Sequence, residues 1–439
     1  MFKKIILTCI SAVLIIPFLF AVDIQTLDTT SREQREIIAK SLKKRNKEFS
    51  KTVFTDYNDN ELSYVKPIYK KFDEGFNEDI LKGDYIFYSG FDSILNDTHE
   101  RLIKANSFLK TDCKFYVSRD ISLNAMSTLF NTYVVNLGAF YFLRNNDEFA
   151  TIIAHEQAHN YLNHQVQSFK NAYQLEKEDS KTTVKDIKKS KYGRGTKALS
   201  KYKDMLYSKG KITRKHEFEA DSLSYLIYKN AGYKSNHYLN AFRLMMEYDT
   251  VKIENMDLSI YKKVFDLPNQ AFKPEWLKKE DFSKYDYSKY TDKFNSDSIK
   301  SHPEFDERIS KLKRLYPELA TENKDSVTSD NQYKRIRETA FYEVFQSLYI
   351  GEDYGFGVYA CLSQLAKPES NTEDEINFYQ KWLGKYFSKI HKARKEYTLN
   401  RYLDAVDPKE QSPDYQQFLN FMWNLKLTEL EQIAIHYSK

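Results

Sequence analysis

Five consecutive residues, His155 to His159, carry the clearest chemical pattern in the sequence. They read His-Glu-Gln-Ala-His within an apolar stretch whose periodicity predicts a helix. Residues four apart lie on one face of a helix, so the imidazoles of His155 and His159 can bind one metal ion together. Glu156 lies one step around the helix, where its carboxylate can take a proton from water at an open coordination position. Two histidines that only pack are the alternative.

A catalytic zinc ion needs three protein ligands and one open position, so a further ligand must come from elsewhere in the chain. His164 is the nearest candidate, but a continuous helix would turn it about 180° away from His155. No glycine lies between His159 and His164 to end that helix, so we predict a structural or hydrogen-bonding role for His164. Glu217 and Asp221 are better placed, one turn apart on another predicted helix. One carboxylate could bind the metal while the other holds a ligand imidazole, although such pairs are often only solvated surface.

The elements that must position these residues predict a mostly helical α+β fold. Amphipathic helices are predicted over 31–54 and 61–81, and strands over 113–117 and 132–137. The helix with the histidine motif should begin near Glu148, capped by Asp147 or Asn146. The helix with the two carboxylates should run from about Thr213 to Gly232.

A polar, turn-rich linker at 322–332 separates this part of the chain from an aromatic C-terminal part. Segments 341–365 and 375–397 place aromatic and small residues at helical spacing, which predicts helical hairpins. The Trp382-Leu383-Gly384 cluster weakly resembles tetratricopeptide repeats, but no fixed period of about 34 residues is present and an ordinary helical bundle fits as well. We therefore predict a catalytic domain over 23–321 and a helical domain over 333–439.

The first 22 residues differ in character from the rest of the chain. Two lysines precede an apolar run from Ile5 to Phe20, which Ala21 follows. This pattern predicts a signal peptide within residues 1–22, with cleavage after Ala21, and an uncleaved membrane anchor is the alternative. We expect an exported protein of the periplasm or cell envelope, or a secreted one.

Composition limits the classes of partner. The 439 residues include 67 basic and 62 acidic side chains, a formal net charge of +5. This excess is too small for a protein that neutralises many phosphates, so we expect no nucleic-acid partner. After export, Cys113 and Cys361 would remain, and an oxidising compartment would permit a disulfide between them or leave two free thiols.

The order of the motifs resembles the gluzincin peptidases that include CAAX prenyl endopeptidases, HtpX-type proteases and their soluble periplasmic relatives. The resemblance covers roughly residues 110–315. Its blocks are Asn124-Ala125, Val135-Asn136-Leu137-Gly138 with Glu148, His155-Glu156-Gln157-Ala158-His159 with His164, Glu217-Phe218-Glu219-Ala220-Asp221, and Ser301-His302-Pro303 with Glu307-Arg308-Ile309. The resemblance implies a zincin-like domain in which His155, His159 and Glu217 hold one zinc ion.

The same resemblance implies roles for residues that spacing alone leaves unassigned. Asp221 would support a ligand histidine, and His302 would approach the site to stabilise the oxyanion or to cap the zinc. Asn124 matches a position suited to holding substrate backbone, and we place Asn136 beside it as a second substrate-binding residue. The strand that ends at Leu137 would be the edge to which an extended peptide adds.

These expectations together describe a soluble zinc endopeptidase that hydrolyses peptide bonds of unfolded or flexible envelope proteins. The polar stretch after His164 contains no transmembrane segment, which argues against processing of prenylated peptides inside a membrane. Peripheral association with the membrane or with envelope proteins is compatible with export, and no pattern indicates an oligomeric state. The alternatives are a chaperone-like binding module with a structural or latent zinc, and another zinc hydrolase such as an aminopeptidase.

Overall fold

The computed structural model describes residues 24–27, 31–178, 210–250, 256–279, 305–320, 331–367, 371–407 and 411–438. The predicted signal peptide, most of the predicted linker and His302 lie outside the described residues. The described part of the chain is mostly helical with a small sheet, as predicted from the sequence. Within it, no helix combines the length and the apolar character that a membrane span requires.

Two long N-terminal helices, α1 (Arg32–Val53) and α2 (Asp59–Lys82), pack against each other. Each begins at a side-chain cap, since Ser31 accepts a hydrogen bond from Gln34 N and Asn58 forms a reciprocal capping box with Glu61. Gly83 ends α2 in the left-handed region, at φ 93°. The apolar faces of both helices enclose a hydrophobic cluster with residues of the sheet.

The sheet has four strands among the described residues: β1 (Tyr85–Ile86), β2 (Lys114–Ser118), β3 (Ala125–Ser127) and β4 (Thr132–Asn136). Their spatial order is β1-β2-β4-β3, in which β2 and β4 are parallel and the other pairs are antiparallel. In the β3–β4 pair, Met126 lies opposite Val134.

The predicted position of the substrate-binding edge is wrong. β4, the strand that precedes Leu137, is paired on both sides, and β3 forms the edge of the sheet instead. The reason is the tight connection between the two strands, where Phe130 and Asn131 adopt positive φ values of 61° and 49°. This turn folds the short β3 back onto β4 and covers its outer side.

The main hydrophobic core surrounds the helix that carries the histidine motif, α5 (Asn146–Tyr161), which is buried from Glu148 to Ala158. Several elements enclose it together with β3: α3 (Ser89–Ala105), α4 (Leu137–Phe142), α6 (His164–Glu178), α7 (Gly210–Asn230), α8 (Ser235–Thr250) and α10 (Phe305–Leu315). Because α5 is covered on all sides, its polar residues must find partners inside the protein.

The entry into α5 differs by one or two residues from the sequence prediction. The capping residue is Asn145, whose side chain accepts a hydrogen bond of 2.9 Å from Glu148 N, and neither Asn146 nor Asp147 caps the helix. Glu148 is fully buried and pairs with Arg144 through its carboxylate. In α4, the position of Gly138 has no space for a side chain, because a Cβ atom there would lie 2.2 Å from the carbonyl oxygen of Ile121.

The C-terminal helices form a second hydrophobic cluster. They are α9 (Ser259–Phe265), α11 (Asn331–Ile350), α12 (Tyr354–Leu365), α13 (Glu373–Lys395), α14 (Pro413–Asn424) and α15 (Leu427–Tyr437). Lengths of 20, 12, 23, 12 and 11 residues from α11 to α15 are those of an irregular bundle. The cluster also includes residues 256–276, which precede the predicted linker, and the exact division into domains stays a prediction.

A buried ion pair connects the two parts of the structure. Arg119, which follows β2, donates to Glu343 of α11, and the Glu343 carboxylate also accepts a hydrogen bond from Leu27 N. Cys113 and Cys361 are both free thiols and form no disulfide.

Candidate metal centre

Helices α5 and α7 bring the three predicted ligands to one place. His159 Nε2 lies 3.0 Å from His155 Nε2, and the two oxygens of Glu217 lie 3.4 Å from His159 Nε2 and 3.5 Å from His155 Nε2. Ligand atoms about 2.0–2.1 Å from a tetrahedral zinc ion are about 3.3 Å from one another. The two imidazoles and the carboxylate therefore fit one zinc ion.

Small residues allow the two helices to approach closely enough for this convergence. Ala158 of α5 and Ala220 of α7 are fully buried in the main core, next to the predicted ligands in sequence. A larger side chain at either position would push the helices apart. The spacing of the ligand atoms thus depends on the packing of residues that bind nothing.

Asp221, one turn beyond Glu217, lies behind His155. Its Oδ1 is 3.1 Å from His155 Nδ1, which leaves Nε2 of the imidazole directed toward Glu217 and His159. Although burial disfavours a charged imidazole, hydrogen bonds with Asp221 and Glu217 raise the pKa of His155 to about 9. The carboxylate of Asp221 is therefore in position to fix the tautomer and orientation of a ligand imidazole.

Arg308 of α10 is a site residue whose role was not predicted from the sequence. Its guanidinium is 2% exposed, donates two hydrogen bonds to Asp221 and places Nη1 3.1 Å from Glu217 Oε2. Burial opposes the charge, but Asp221 and Glu217 raise the pKa of Arg308 further above its ordinary value. A signal was present in the sequence: Phe305, Arg308 and Leu312 share one face of α10, and a charged residue on an apolar face indicates a buried ion pair.

The model of a known family, described as Peptidase family M48, matches residues 92–316. This chain belongs to peptidase family M48. The match extends from within α3 to the end of α10, so it includes strands β2, β3 and β4, both helices that carry the predicted ligands, and Arg308. The chain matches none of the curated proteins with which it was compared. Membership makes the protein a metallopeptidase of the gluzincin type.

In this M48 chain the predicted base is held by the edge strand. Glu156 is 7% exposed, and its Oε2 accepts a hydrogen bond of 2.5 Å from Ser127 N of β3. The carbonyl oxygen of Ser127 accepts a hydrogen bond of 2.8 Å from Gln165 Nε2. The backbone N–H and carbonyl groups of Ser127 therefore both have hydrogen-bond partners within the protein.

The two asparagines predicted to bind substrate have different environments. Asn124 is half-buried at the start of β3, and its side-chain oxygen accepts a hydrogen bond of 2.9 Å from Ala125 N. Asn136 is buried, donates to Ser122 Oγ and accepts from Ser118 Oγ, at 2.9 and 2.7 Å. The structure therefore places Asn124 at the open edge, whereas Asn136 supports the end of β4.

The predicted position of His164 is wrong, because the helix after His159 is not continuous. α5 ends at Tyr161, Asn163 adopts a positive φ of 53°, and α6 begins at His164. Asparagine tolerates this left-handed conformation, so the helix ends without a glycine. The break returns His164 to the site, where its Nδ1 lies 2.9 Å from His159 Nδ1.

Proposed function

We propose that this M48 metallopeptidase is a zinc-dependent endopeptidase that cleaves unfolded or flexible proteins of the cell envelope. The observation that supports it best is the convergence of His155, His159 and Glu217 on one point, with the carboxylate of Glu156 on the same helix as the two imidazoles. Export is proposed from the first 22 residues alone.

Zinc bound by these three side chains would act as a Lewis acid on the scissile carbonyl and would lower the pKa of water toward about 7. Glu156 would accept the proton of the attacking water and deliver it to the leaving amine. The hydrogen bond from Ser127 N fixes one carboxylate oxygen. The other oxygen, Oε1, makes no hydrogen bond within the described part of the chain and is the atom that can take the proton.

The register of β3 indicates where an extended peptide would add. Backbone groups of Asn124 and Thr128 bond to β4, so those of Ala125 and Ser127 face away from it. Because both backbone groups of Ser127 are occupied and Ala125 N donates to Asn124 Oδ1, the carbonyl oxygen of Ala125 is the group of β3 at which a substrate strand would pair. Backbone pairing makes little demand on substrate sequence but requires an extended chain, which favours unfolded or flexible substrates. A role for His302 near the oxyanion stays a proposal that rests on the family resemblance.

The test uses the exported full-length protein with casein as an unfolded probe. Cleavage at internal bonds is expected, with loss after a zinc chelator and recovery when zinc is restored. The matched variant is Glu156→Gln, which keeps the hydrogen-bond acceptor for Ser127 N but cannot take a proton. It should retain one zinc per chain while cleavage falls by about 10²-fold or more.

Four results would overturn the proposal. Metal-independent cleavage would refute the role of zinc, and a Glu156→Gln variant as active as the parent would refute Glu156 as the base. Casein that binds without being cut would favour a chaperone-like module, and products released only from the N-terminus would indicate an aminopeptidase.

A further inference from the structure

A second group of ligand-type side chains lies beside the predicted zinc ligands. It consists of His164, His216 and Glu219, whose nitrogen and oxygen atoms lie within 4.8 Å of one another. The group has the composition of a metal site but not its geometry. The two imidazole rings are stacked, with centroids 4.2 Å apart and planes inclined by 10°. An imidazole lone pair lies in the plane of its ring, so two parallel stacked rings cannot both direct a nitrogen at one ion.

The position of one proton decides what His164 can do. If His159 binds zinc through Nε2, its remaining proton must be on Nδ1. That atom lies 2.9 Å from His164 Nδ1, so the contact is a hydrogen bond only when His159 donates and His164 accepts. A neutral His164 that accepts through Nδ1 must then carry its own proton on Nε2.

The protonated Nε2 of His164 has a carboxylate within reach. This atom is buried and makes no hydrogen bond of good geometry, and Glu219 Oε2 lies 3.4 Å away. Glu219 is 41% exposed, so a small rotation of its side chain can shorten that distance without disturbing the core. The N–H of the neutral His164 therefore has one anionic acceptor, the carboxylate of Glu219, beside it.

The ring of His164 is held in place from its other side. His216 stacks on it, and His216 Nε2 lies 3.1 Å from Gln167 Oε1. Gln167 also donates a hydrogen bond of 2.9 Å to the carbonyl oxygen of Leu162, at the break between α5 and α6. Because these contacts fix the plane of His164, they also fix the direction from which it can meet His159.

We propose that His164 is a positioning residue for the zinc ligand His159, which it links to the carboxylate of Glu219. A carboxylate of α7 would then support each predicted ligand imidazole. Asp221 contacts His155 directly, whereas Glu219 reaches His159 through the imidazole of His164. This arrangement gives a role to each of three acidic residues that alternate along α7, Glu217, Glu219 and Asp221. The inference rests on the proposed zinc site but does not require that the protein be an active endopeptidase.

The test measures zinc affinity of the metal-free full-length protein by competition with a chromophoric chelator, and the visible spectrum of its Co²⁺ form. His164→Phe keeps an aromatic ring on His216 but has no nitrogen, so zinc affinity should fall about 10–100-fold and the Co²⁺ spectrum should shift. Glu219→Gln should lower the affinity by a smaller factor. The matched control is Lys215→Gln, which removes the exposed partner 3.5 Å from Glu219 Oε1 and should change neither quantity.

The double variant distinguishes a linked pair from two independent effects. If Glu219 acts through His164, adding Glu219→Gln to His164→Phe should cause no further loss of zinc affinity. Additive losses would overturn the link, as would a Glu219→Gln variant identical to Lys215→Gln. A stoichiometry of two zinc ions, reduced to one by His216→Ala, would show a metal site instead. These readouts use no substrate, so a protein that responds as expected but cuts no casein would refute only the proposed function.

Discussion

Arg308 donates two hydrogen bonds to Asp221, one of 2.8 Å from Nε to Oδ2 and one of 2.6 Å from Nη2 to Oδ1. The two side chains are 2% and 1% exposed. The third guanidinium nitrogen lies 3.1 Å from Glu217 Oε2. A single arginine therefore orients both the predicted third zinc ligand and the carboxylate behind His155, from a helix that contributes no ligand itself.

Replacing Arg308 should damage the metal site through these two carboxylates. Arg308→Met leaves them buried without a counter-charge, and we expect the free energy of unfolding to fall by about 3–5 kcal/mol. Zinc affinity should fall as well. Arg308→Lys should recover little, because an ammonium cannot form the paired hydrogen bonds of a guanidinium. Urea unfolding and zinc competition measure the two effects.

The control for this series is Arg314→Met, an exposed arginine on the same helix. It should match the parent protein in both measurements. If Arg308→Lys bound zinc as tightly as the parent, orientation of the carboxylates by the guanidinium fork would be refuted, and charge alone would suffice.

Asn124 and Asn136 form a matched pair for testing the substrate edge. We expect Asn124→Ala to raise KM for casein peptides several-fold with little loss of stability, because its side chain lies at the open edge of the sheet. Asn136→Ala should instead lower the free energy of unfolding by about 1–3 kcal/mol, since two serine hydroxyls lose a buried partner. Steady-state kinetics and urea unfolding of both variants separate these effects. The reverse pattern would contradict the assignment of Asn124 to substrate binding.

Asp79 of α2, which is not part of the metal site, should make the free energy of unfolding depend on pH. It is 6% exposed, and burial, with the nearby charge of Asp84, raises its pKa to about 7. At pH values between the unfolded pKa of about 3.9 and this folded pKa, the folded state binds more protons than the unfolded state. The contribution of Asp79 to the free energy of unfolding therefore falls as pH rises. We expect Asp79→Asn to be more stable than the parent above pH 7, with a difference that shrinks toward pH 4.

Urea unfolding at several pH values between 4 and 8 tests this expectation. The exposed neighbour Glu78 supplies the control, because Glu78→Gln should show no such pH-dependent gain. An Asp79→Asn variant whose advantage stayed constant over the whole range would show that a lost contact, and not ionisation, accounts for the change.

Features that repeat over a few residues were predictable from the sequence. The pairing of His155 with His159 follows from helical spacing, and the boundaries of α1, α2 and β4 follow from apolar periodicity and caps, within a few residues. The alternation of three acidic residues in α7 was also visible. The sequence did not show that Glu219 lies beside His164, since that contact depends on a helix break at Asn163 whose left-handed conformation has no obligatory residue.

What the sequence alone determined is therefore the chemistry available to the protein: two imidazoles on one helix face, a carboxylate beside them, and further carboxylates one turn apart. Tertiary structure decided which of these groups meet. Arg308 lies 87 residues from Asp221 in the chain, and β3 becomes the edge only because a tight turn folds it onto β4. Covalent geometry repeats at short range and imposes a period on the sequence, whereas contacts between distant segments depend on how whole elements pack and leave no period behind.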